Sequence, residues 1–385
     1  MRIIIAPDKF KGSISALEAA NQIACGVKAI FPNAQINIFP LSDGGEGLVE
    51  SLVGSLRGSF ETAIVTGPLG SPVKACWGII DDGKTAVIEM AAASGLALVS
   101  EKLRDPAVTT TYGTGELIRT ALDQGCSKLI IGIGGSATND GGAGMAQALG
   151  AGLFDQSGRP LGYGGAELLR LDRIEVSGLD YRLGKVKTLV AGDVDNPLIG
   201  PEGAAYVYGP QKGASPEIVR QLDKALDNYA RVIKRDLGVD VAFVAGAGAA
   251  GGLGAGLITF LQAELCSGIE LVLDALEIDQ SLQDCQLLIT GEGKLDTQSA
   301  HGKAPVGVAR RARKYKVPVI ALTGMIEGDL NVFHREGISA CFAIANGPLS
   351  LEESISKGPQ LLENKTAELM RLWKLCVHKD SSSDL

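Results

Sequence analysis

Residues 128–152 read KLIIGIGGSATNDGGAGMAQALGAG, and the organisation of the whole chain can be worked out from this stretch. The apolar run Leu129–Ile133 leads into a glycine-rich loop, and the alanine-rich segment Gly144–Leu149 follows that loop. A strand, a glycine loop and a helix in succession form a common anion site, because small residues let the backbone approach a ligand and a helix start offers free N–H groups. The loop carries short polar side chains that suit hydroxyls, phosphate oxygens or Mg²⁺: Ser136, Thr138, Asn139 and Asp140.

The same loop also matches a dinucleotide-binding pattern, G-x-G-x-x-G/A, which would indicate an NAD-dependent enzyme. The match runs from Gly132 to Ala137, and a second copy runs from Gly246 to Gly251. Neither copy is specific in a chain with 51 glycines. The acidic residue that the pattern requires about 20 positions later falls near Asp155, in a turn-like segment. The phosphate-loop pattern G-x-x-x-x-G-K-S/T does not occur.

The composition limits the partners and the compartment. With 45% hydrophobic residues among 385, the chain can bury large cores and form two domains. A formal net charge of −8 disfavours nucleic acid and anionic membrane surfaces as partners. The apolar N-terminal run is too short for a signal peptide or a membrane span, and the seven cysteines form no C-x-x-C pair. We therefore expect a cytoplasmic protein that binds small molecules, either a monomer or a homodimer.

The two ends of the chain share an alternation of strand and helix patterns. Apolar runs typical of buried parallel strands occur at residues 2–6 and 286–290, and residues 35–40 alternate as a further strand. Each of these three segments is followed by a polar loop. Open α/β sheets bind ligands at this carboxyl end of their strands. The charged residues of these loops are Asp8, Lys9, Lys11, Asp43, Glu46, Glu292, Lys294 and Asp296. We predict one doubly wound parallel sheet, an α/β domain built from residues 1–65 and 280–385.

The middle of the chain has a different pattern. From residue 61 short extended runs follow one another, and Asp82–Gly83 is a hairpin signal. A threonine- and glycine-rich helix start lies at Thr114, and ordinary capping by its hydroxyl competes with an anion-binding role there. We predict that residues 66–279 form a large inserted α/β domain with a mixed sheet. The polar tail HKDSSSDL is predicted to be disordered.

The polar loops offer the three components that phosphoryl transfer requires. Glycine loops and lysines can neutralise phosphates, and aspartates can hold Mg²⁺. One of the same aspartates can orient or deprotonate an acceptor hydroxyl. Asp193 and Asp195 add to these carboxylates, because they directly follow a strand predicted at residues 186–191. The chain shows neither a Ser-His-Asp order nor a G-x-S-x-G elbow.

Several of these loops resemble the motifs of one known family. The stretches APDKFKG at residues 6–12, DGGEG at 43–47, GGSATNDGG at 134–142, DVDNPL at 193–198 and GEGKLD at 291–296 are similar to those of the bacterial type 1 glycerate kinases, or glycerate 2-kinases. The resemblance implies ATP-dependent phosphorylation of D-glycerate, usually to the 2-phosphate, and the acidic loops make Mg²⁺ the expected metal. It also implies one flavodoxin-like and one more irregular α/β domain, with the active site between them. The alternative is an NAD-dependent oxidoreductase of a small hydroxy acid.

Both lines of reasoning together assign expected roles to individual residues, while the identity of the general base stays open. Catalytic roles are expected for Asp193, Lys294 and Asp296. Substrate contacts are expected from Asp8, Lys9, Lys11, Asp43, Glu46, Ser136 and Asn139. Nucleotide contacts are expected from Thr114, Gly134, Gly135, Thr138 and Glu292. The expected Mg²⁺ ligands are Asp193, Asp195 and Asp296.

Overall fold

The chain divides into two compact units. The computed structural model describes residues 1–296, 299 and 302–380. The terminal unit comprises Met1–Asp43 and Ile269–Leu385, and the inserted unit comprises Gly44–Gly268. The predicted disorder of the tail falls largely on residues 381–385, which lie outside the described residues, and the last helix continues to Asp380.

Thirteen strands are seen in the described part of the chain. They are β1 Arg2–Pro7, β2 Gln35–Ile38, β3 Ser59–Thr66, β4 Pro72–Ile80, β5 Thr85–Glu89, β6 Lys128–Gly132, β7 Gly152–Asp155, β8 Leu171–Glu175, β9 Lys187–Ala191, β10 Glu264–Cys266, β11 Leu287–Leu295, β12 Val319–Ile326 and β13 Ala340–Ala343.

The same residues contain fourteen α-helices. They are α1 Ala16–Ile30, α2 Leu48–Ser55, α3 Ala91–Ser94, α4 Tyr112–Asp123, α5 Ala143–Ala148, α6 Ala204–Tyr208, α7 Pro216–Leu237, α8 Ala249–Leu261, α9 Gly268–Ala275, α10 Ile278–Leu282, α11 Ala304–Lys314, α12 Leu330–Arg335, α13 Leu351–Ser356 and α14 Gly358–Asp380.

The terminal unit contains a five-stranded sheet in the order β13-β12-β11-β1-β2, and all its pairings are parallel. β1 is almost fully apolar and its residues Ile3–Ile5 are buried, as expected for a central strand covered on both faces. Counted within this unit the order is 5-4-3-1-2, the flavodoxin-like arrangement, and it reverses direction between β1 and β11. The predicted parallel sheet made from both chain ends is confirmed.

The inserted unit contains a six-stranded mixed sheet in the order β10-β9-β6-β5-β4-β3. β3, β4 and β5 pair antiparallel, whereas β5, β6, β9 and β10 pair parallel. The parallel strands end in register, since Gly132 pairs with both Glu89 and Ala191, and Ala191 pairs with Cys266. Their loops therefore leave one edge of the sheet together. The predicted mixed sheet is confirmed.

The observed unit boundaries differ from the predicted ones at residues 65 and 280. Residues 44–65 belong to the inserted unit because β3 pairs with β4 and α2 packs on β4, where a Cβ at Gly78 would overlap Val53. Residues 269–279 belong to the terminal unit, where the guanidinium of Arg311 binds the carboxylates of Glu270, Asp274 and Asp279.

Candidate active site

The central glycine loop of the inserted unit is organised by the buried carboxylate of Asp140. Its Oδ2 accepts hydrogen bonds from the N–H and hydroxyl of Thr111, at 2.8 and 2.9 Å, and from the N–H of Gly144 at 3.3 Å. Its Oδ1 accepts one from the N–H of Gly142 at 3.1 Å. Thr111 precedes α4 and Gly142 precedes α5, so one carboxylate holds the first turns of both helices. Burial raises the pKa of Asp140, and the four donors oppose that rise.

Lys212 lies beneath this loop and was missed by the sequence reasoning. Its side chain is only 1% exposed, and its Nζ donates to Ser136 Oγ and to the main-chain oxygen of Thr138, both at 2.7 Å. Burial lowers the pKa of Lys212 to about 7, although the nearby charge of Asp140 acts in the opposite direction. The segment PQKG around Lys212 matches no motif, so no local signal could have identified it.

Several polar atoms around the loop are buried without a hydrogen-bond partner among the described residues. They are both amide atoms of Asn139, the hydroxyl of Thr138 and the hydroxyl of Tyr229. Burial also raises the pKa of Tyr229. Unpaired buried polar groups are rare in native proteins and cost free energy, so each calls for a specific explanation such as a ligand or an ordered water. Asn139 and Thr138, both predicted site residues, therefore remain candidates.

The second glycine loop, residues 44–47, packs against the central loop. A Cβ at Gly134 would lie 2.7 Å from the Cα of Gly45, and a Cβ at Gly44 would lie 2.7 Å from the Cβ of Ala191. Only glycine permits these approaches. Gly135 has φ +74° and is exposed at the same edge of the sheet, as is Glu46. The inserted unit thus brings together two of the predicted loops.

Thr114 lies inside helix α4 and not at the start of the helix, where it was predicted. Helix α4 begins at Tyr112, so Thr111 and not Thr114 occupies the cap position. Thr114 is fully buried, and its hydroxyl lies 3.0 Å from Ser94 Oγ. The predicted cap at Thr114 lies three residues after the observed cap at Thr111, because the run of threonines and glycines offers several equivalent caps. The hydroxyl has a packing role and faces no open surface.

Neither dinucleotide fingerprint has the strand–turn–helix context that the pattern requires. After Gly132 the chain forms a long loop, and α5 begins only at Ala143. The second copy follows no strand, and Gly251 packs under the central loop, where its carbonyl accepts the N–H of Gly141 at 3.1 Å. Both copies therefore serve close packing, which removes the main support for an NAD site.

Asp193 and Asp195 follow β9, as predicted, and the structure shows that both are exposed. Asp193 Oδ1 accepts the N–H of Gly268 at 2.9 Å, so this carboxylate also stabilises the start of α9. Among the described residues no three His, Cys, Asp or Glu side chains come close enough to share a metal ion. The ligand set of Asp193, Asp195 and Asp296 stays a prediction, since its first two members lie in the inserted unit and the third in the terminal unit.

The terminal unit holds a second group of predicted residues, at the point where its strand order reverses. Asp8 follows β1 and Glu292 lies in the neighbouring β11, and these carboxyl groups are only 8% and 7% exposed. Burial raises the pKa of Asp8 to about 7, and the carboxylates of Asp43 and Glu292 raise it further. Burial likewise raises the pKa of Glu292 to about 7, against a hydrogen bond with Ser299 that lowers it. Carboxyl groups that titrate near neutral pH suit proton transfer.

Lysines lie next to Asp8 in sequence and around Asp296 at the end of β11. Lys294 Nζ lies 2.5 Å from Glu327 Oε2 and 3.5 Å from Asp296 Oδ2, and Lys303 Nζ lies 3.8 Å from Asp296 Oδ1. The backbone N–H of Lys9 donates to Asp8 Oδ1 at 2.6 Å. Lys294 is half exposed, so its ion pairs stabilise the fold little and its ammonium can reach a ligand. Lys11 is exposed.

The chain matches known proteins over almost its full length. The model of the glycerate kinase family matches residues 3–374. A glycerate kinase of Bacillus subtilis is 52% identical over 97% of this chain and 98% of its own length. A glycerate 2-kinase of Escherichia coli is 54% identical over 92% of this chain and 93% of its own length. The crystal structure of a candidate glycerate kinase 2 from Salmonella typhimurium superposes with a TM-score of 0.88 at 48% identity, covering 97% of this chain and 98% of that one.

Proposed function

The chain belongs to the glycerate kinase family, and from this premise we propose that it transfers the γ-phosphoryl group of ATP to a hydroxyl of D-glycerate. We propose 2-phospho-D-glycerate as the product, because the relative from Escherichia coli is named a glycerate 2-kinase. None of the helices in the described part of the chain is long and apolar enough to cross a membrane.

The observation that carries the proposal is the pair of buried acids in the terminal unit. Asp8 and Glu292 lie at the strand-order reversal of a parallel sheet, where this class of fold binds its ligands. Their pKa values of about 7 leave a large fraction ionised at neutral pH, ready to accept the proton of an acceptor hydroxyl. Lys9 directly follows Asp8, and Lys294 lies two positions after Glu292 on β11, so both lysines can offset phosphate and carboxylate charge in this part of the unit.

For Mg²⁺ we propose an ion that arrives with ATP. Such an ion commonly takes one or two protein carboxylates and completes its shell with phosphate oxygens and water. Asp296 fits this role, because its carboxylate is 19% exposed at the end of β11 and offers hard oxygen ligands. The ion would supply charge neutralisation at the phosphates.

We also propose a cytoplasmic location for the enzyme and a monomeric or homodimeric state. The seven cysteines all lie among the described residues and none of them forms a disulfide there, which supports a location in the reducing cytoplasm. Either a monomer or a homodimer is compatible with the proposed reaction.

The test is direct measurement of products with the purified protein. We expect ADP release, followed by chromatography, to depend on D-glycerate, with L-glycerate and glycolate as controls. Proton-coupled phosphorus NMR then identifies the product, because a phosphate on C2 has one neighbouring carbon-bound proton and gives a doublet, whereas a phosphate on C3 gives a triplet. ADP release that is independent of glycerate, or reduction of NAD by glycerate, would contradict the proposal.

A further inference from the structure

The terminal unit contains a cavity of about 480 Å³ at the carboxyl end of its sheet. Its lining comes from the loop after β1, the ends of β11 and β12, the segment after β13, and α13. This volume is within the range of pockets that hold small organic ligands. It lies wholly among described residues of one unit.

Apolar side chains surround the cavity and are left partly open. Met325 is 54% exposed and Leu351 is 77% exposed, and both line the cavity together with Phe10 and Ile355. Clustered exposed apolar side chains are a mark of binding surfaces. An occupant that covers these side chains must therefore offer apolar area, which glycerate lacks.

The floor of the cavity is bare backbone. A Cβ at Gly324 would lie 2.6 Å from the main-chain oxygen of Gly293, and a Cβ at Gly293 would lie 3.1 Å from the nitrogen of Lys11. Three backbone segments thus meet without side chains between them. A flat surface with main-chain polar groups at its border suits a planar heteroaromatic ring.

A lysine lines this cavity and a second lysine lies next to one of the lining residues in sequence. Lys11 lines it, and Gly293 in its floor directly precedes Lys294, whose ammonium is half exposed. An apolar cavity lined by a lysine matches a nucleotide, whose base is apolar and planar and whose phosphates are anionic. Two other residues expected at the nucleotide, Thr114 and Thr138, are fully buried in the inserted unit and offer no comparable slot.

We propose that this cavity binds the adenine ring of ATP, with the phosphate chain directed toward Lys294 and the acids at the strand-order reversal. The inference rests on the proposed kinase function and adds the location of the base. Glycerate is then bound elsewhere, near the end of the phosphate chain.

Equilibrium binding of ADP, measured by calorimetry on the full chain, tests the assignment. Met325→Glu and Leu351→Glu each place a carboxylate on the rim, where both side chains are more than half exposed and the fold should tolerate the change. We expect the Kd for ADP to rise at least about tenfold in each variant, while KM for glycerate stays within about twofold. Leu375→Glu is the matched control, because Leu375 is 68% exposed and lies outside the cavity.

Photolabelling with 8-azido-ADP gives an independent readout that needs no variant. We expect the label on peptides that contain residues 324–326 or 344–355. Label confined to peptides from Gly44–Gly268, unchanged ADP affinity in both variants, or no ADP binding by the wild type would overturn the assignment. If ADP binds as expected but no glycerate-dependent turnover occurs, the proposed function fails while the cavity assignment stands. If turnover is normal but the ADP affinity is unchanged in both variants, the cavity assignment fails while the proposed function stands.

Discussion

Substitution of Asp140 should destabilise the inserted unit by an amount that depends on how many hydrogen bonds the new side chain retains. In the wild type its carboxylate accepts four, three from the backbone N–H groups of Thr111, Gly142 and Gly144. These backbone donors stand at the starts of α4 and α5 and cannot reorient. In Asp140→Ala all three lose their acceptor, and the ammonium of Lys212 loses the nearby opposite charge.

The magnitudes follow from the donors left unpaired. Each buried donor without an acceptor costs about 1–3 kcal/mol, so Asp140→Ala should lower the free energy of unfolding by at least about 3 kcal/mol. In Asp140→Asn the side-chain oxygen can take the place of Oδ2 and keep three donors, and the amide nitrogen then faces the N–H of Gly142. We expect a loss of about 2 kcal/mol for that variant. Both losses are large against a total stability of about 5–15 kcal/mol.

The assay is urea unfolding followed by tryptophan fluorescence. The chain has two tryptophans, Trp77 in the inserted unit and Trp373 in the terminal unit. In a Trp373→Phe background the fluorescence reports the inserted unit alone, so the unfolding of two units is not mixed in one signal. Linear extrapolation gives the free energy of unfolding for each variant.

The matched control is Asp223→Asn in the same unit. Asp223 accepts a single backbone hydrogen bond, from Gly200 at 2.9 Å, which the asparagine oxygen can also accept. We expect this control to stay within about 0.5 kcal/mol of the wild type. If Asp140→Asn were equally mild, or if Asp140→Ala were no worse than Asp140→Asn, the reasoning would be refuted.

Three further predictions concern activity and pH. Asn139→Ala should lower kcat at least about tenfold, which corresponds to about 1.4 kcal/mol of barrier. The free energy of unfolding should change little, because the amide of Asn139 has no hydrogen-bond partner among the described residues. Full turnover in this variant would mean that the loop has a purely structural role. Lys294→Ala should lower kcat/KM about a hundredfold, on the order of 2.7 kcal/mol of transition-state stabilisation. The control Glu327→Gln removes one of the ion-pair partners of Lys294 and should keep kcat/KM near wild type. Equal kcat/KM in the two variants would mean that Lys294 forms only a surface ion pair. In the folded state Asp8 keeps its proton up to about pH 7, because its pKa is raised to about 7 from the ordinary 3.8. The unfolded chain releases this proton at lower pH, so the free energy of unfolding falls as the pH rises through that window. The free energy of unfolding of Asp8→Asn, relative to wild type, should therefore rise between about pH 4 and pH 8 by on the order of 2–4 kcal/mol. A Trp77→Phe background lets the fluorescence report the terminal unit. A difference between the two proteins that does not change with pH would contradict the raised pKa.

Local patterns were enough to predict most elements and the class of fold. The apolar residues that recur at helical spacing in residues 216–237 predict a helix, and α7 occupies those residues with Ser215 as its cap and Pro216 in its first turn. Continuous apolar runs predicted the strands of a parallel sheet, since such strands are buried on both faces. The unit boundaries could not be read in this way, because the pattern of α2 shows that one of its faces is buried but not which strands cover it.

The sequence by itself determined the glycine loops, the charged residues at strand ends and the family to which their motifs belong, because these depend on residue type and spacing along the chain. Only the tertiary structure decided which of those residues are buried, since burial depends on segments distant in sequence. It turned Thr114 into a packing residue, brought Lys212 beneath the central loop and raised the pKa of Asp8 and Glu292 to about 7. The ionisation of a group depends on the water that neighbouring elements exclude, and no local pattern records that exclusion.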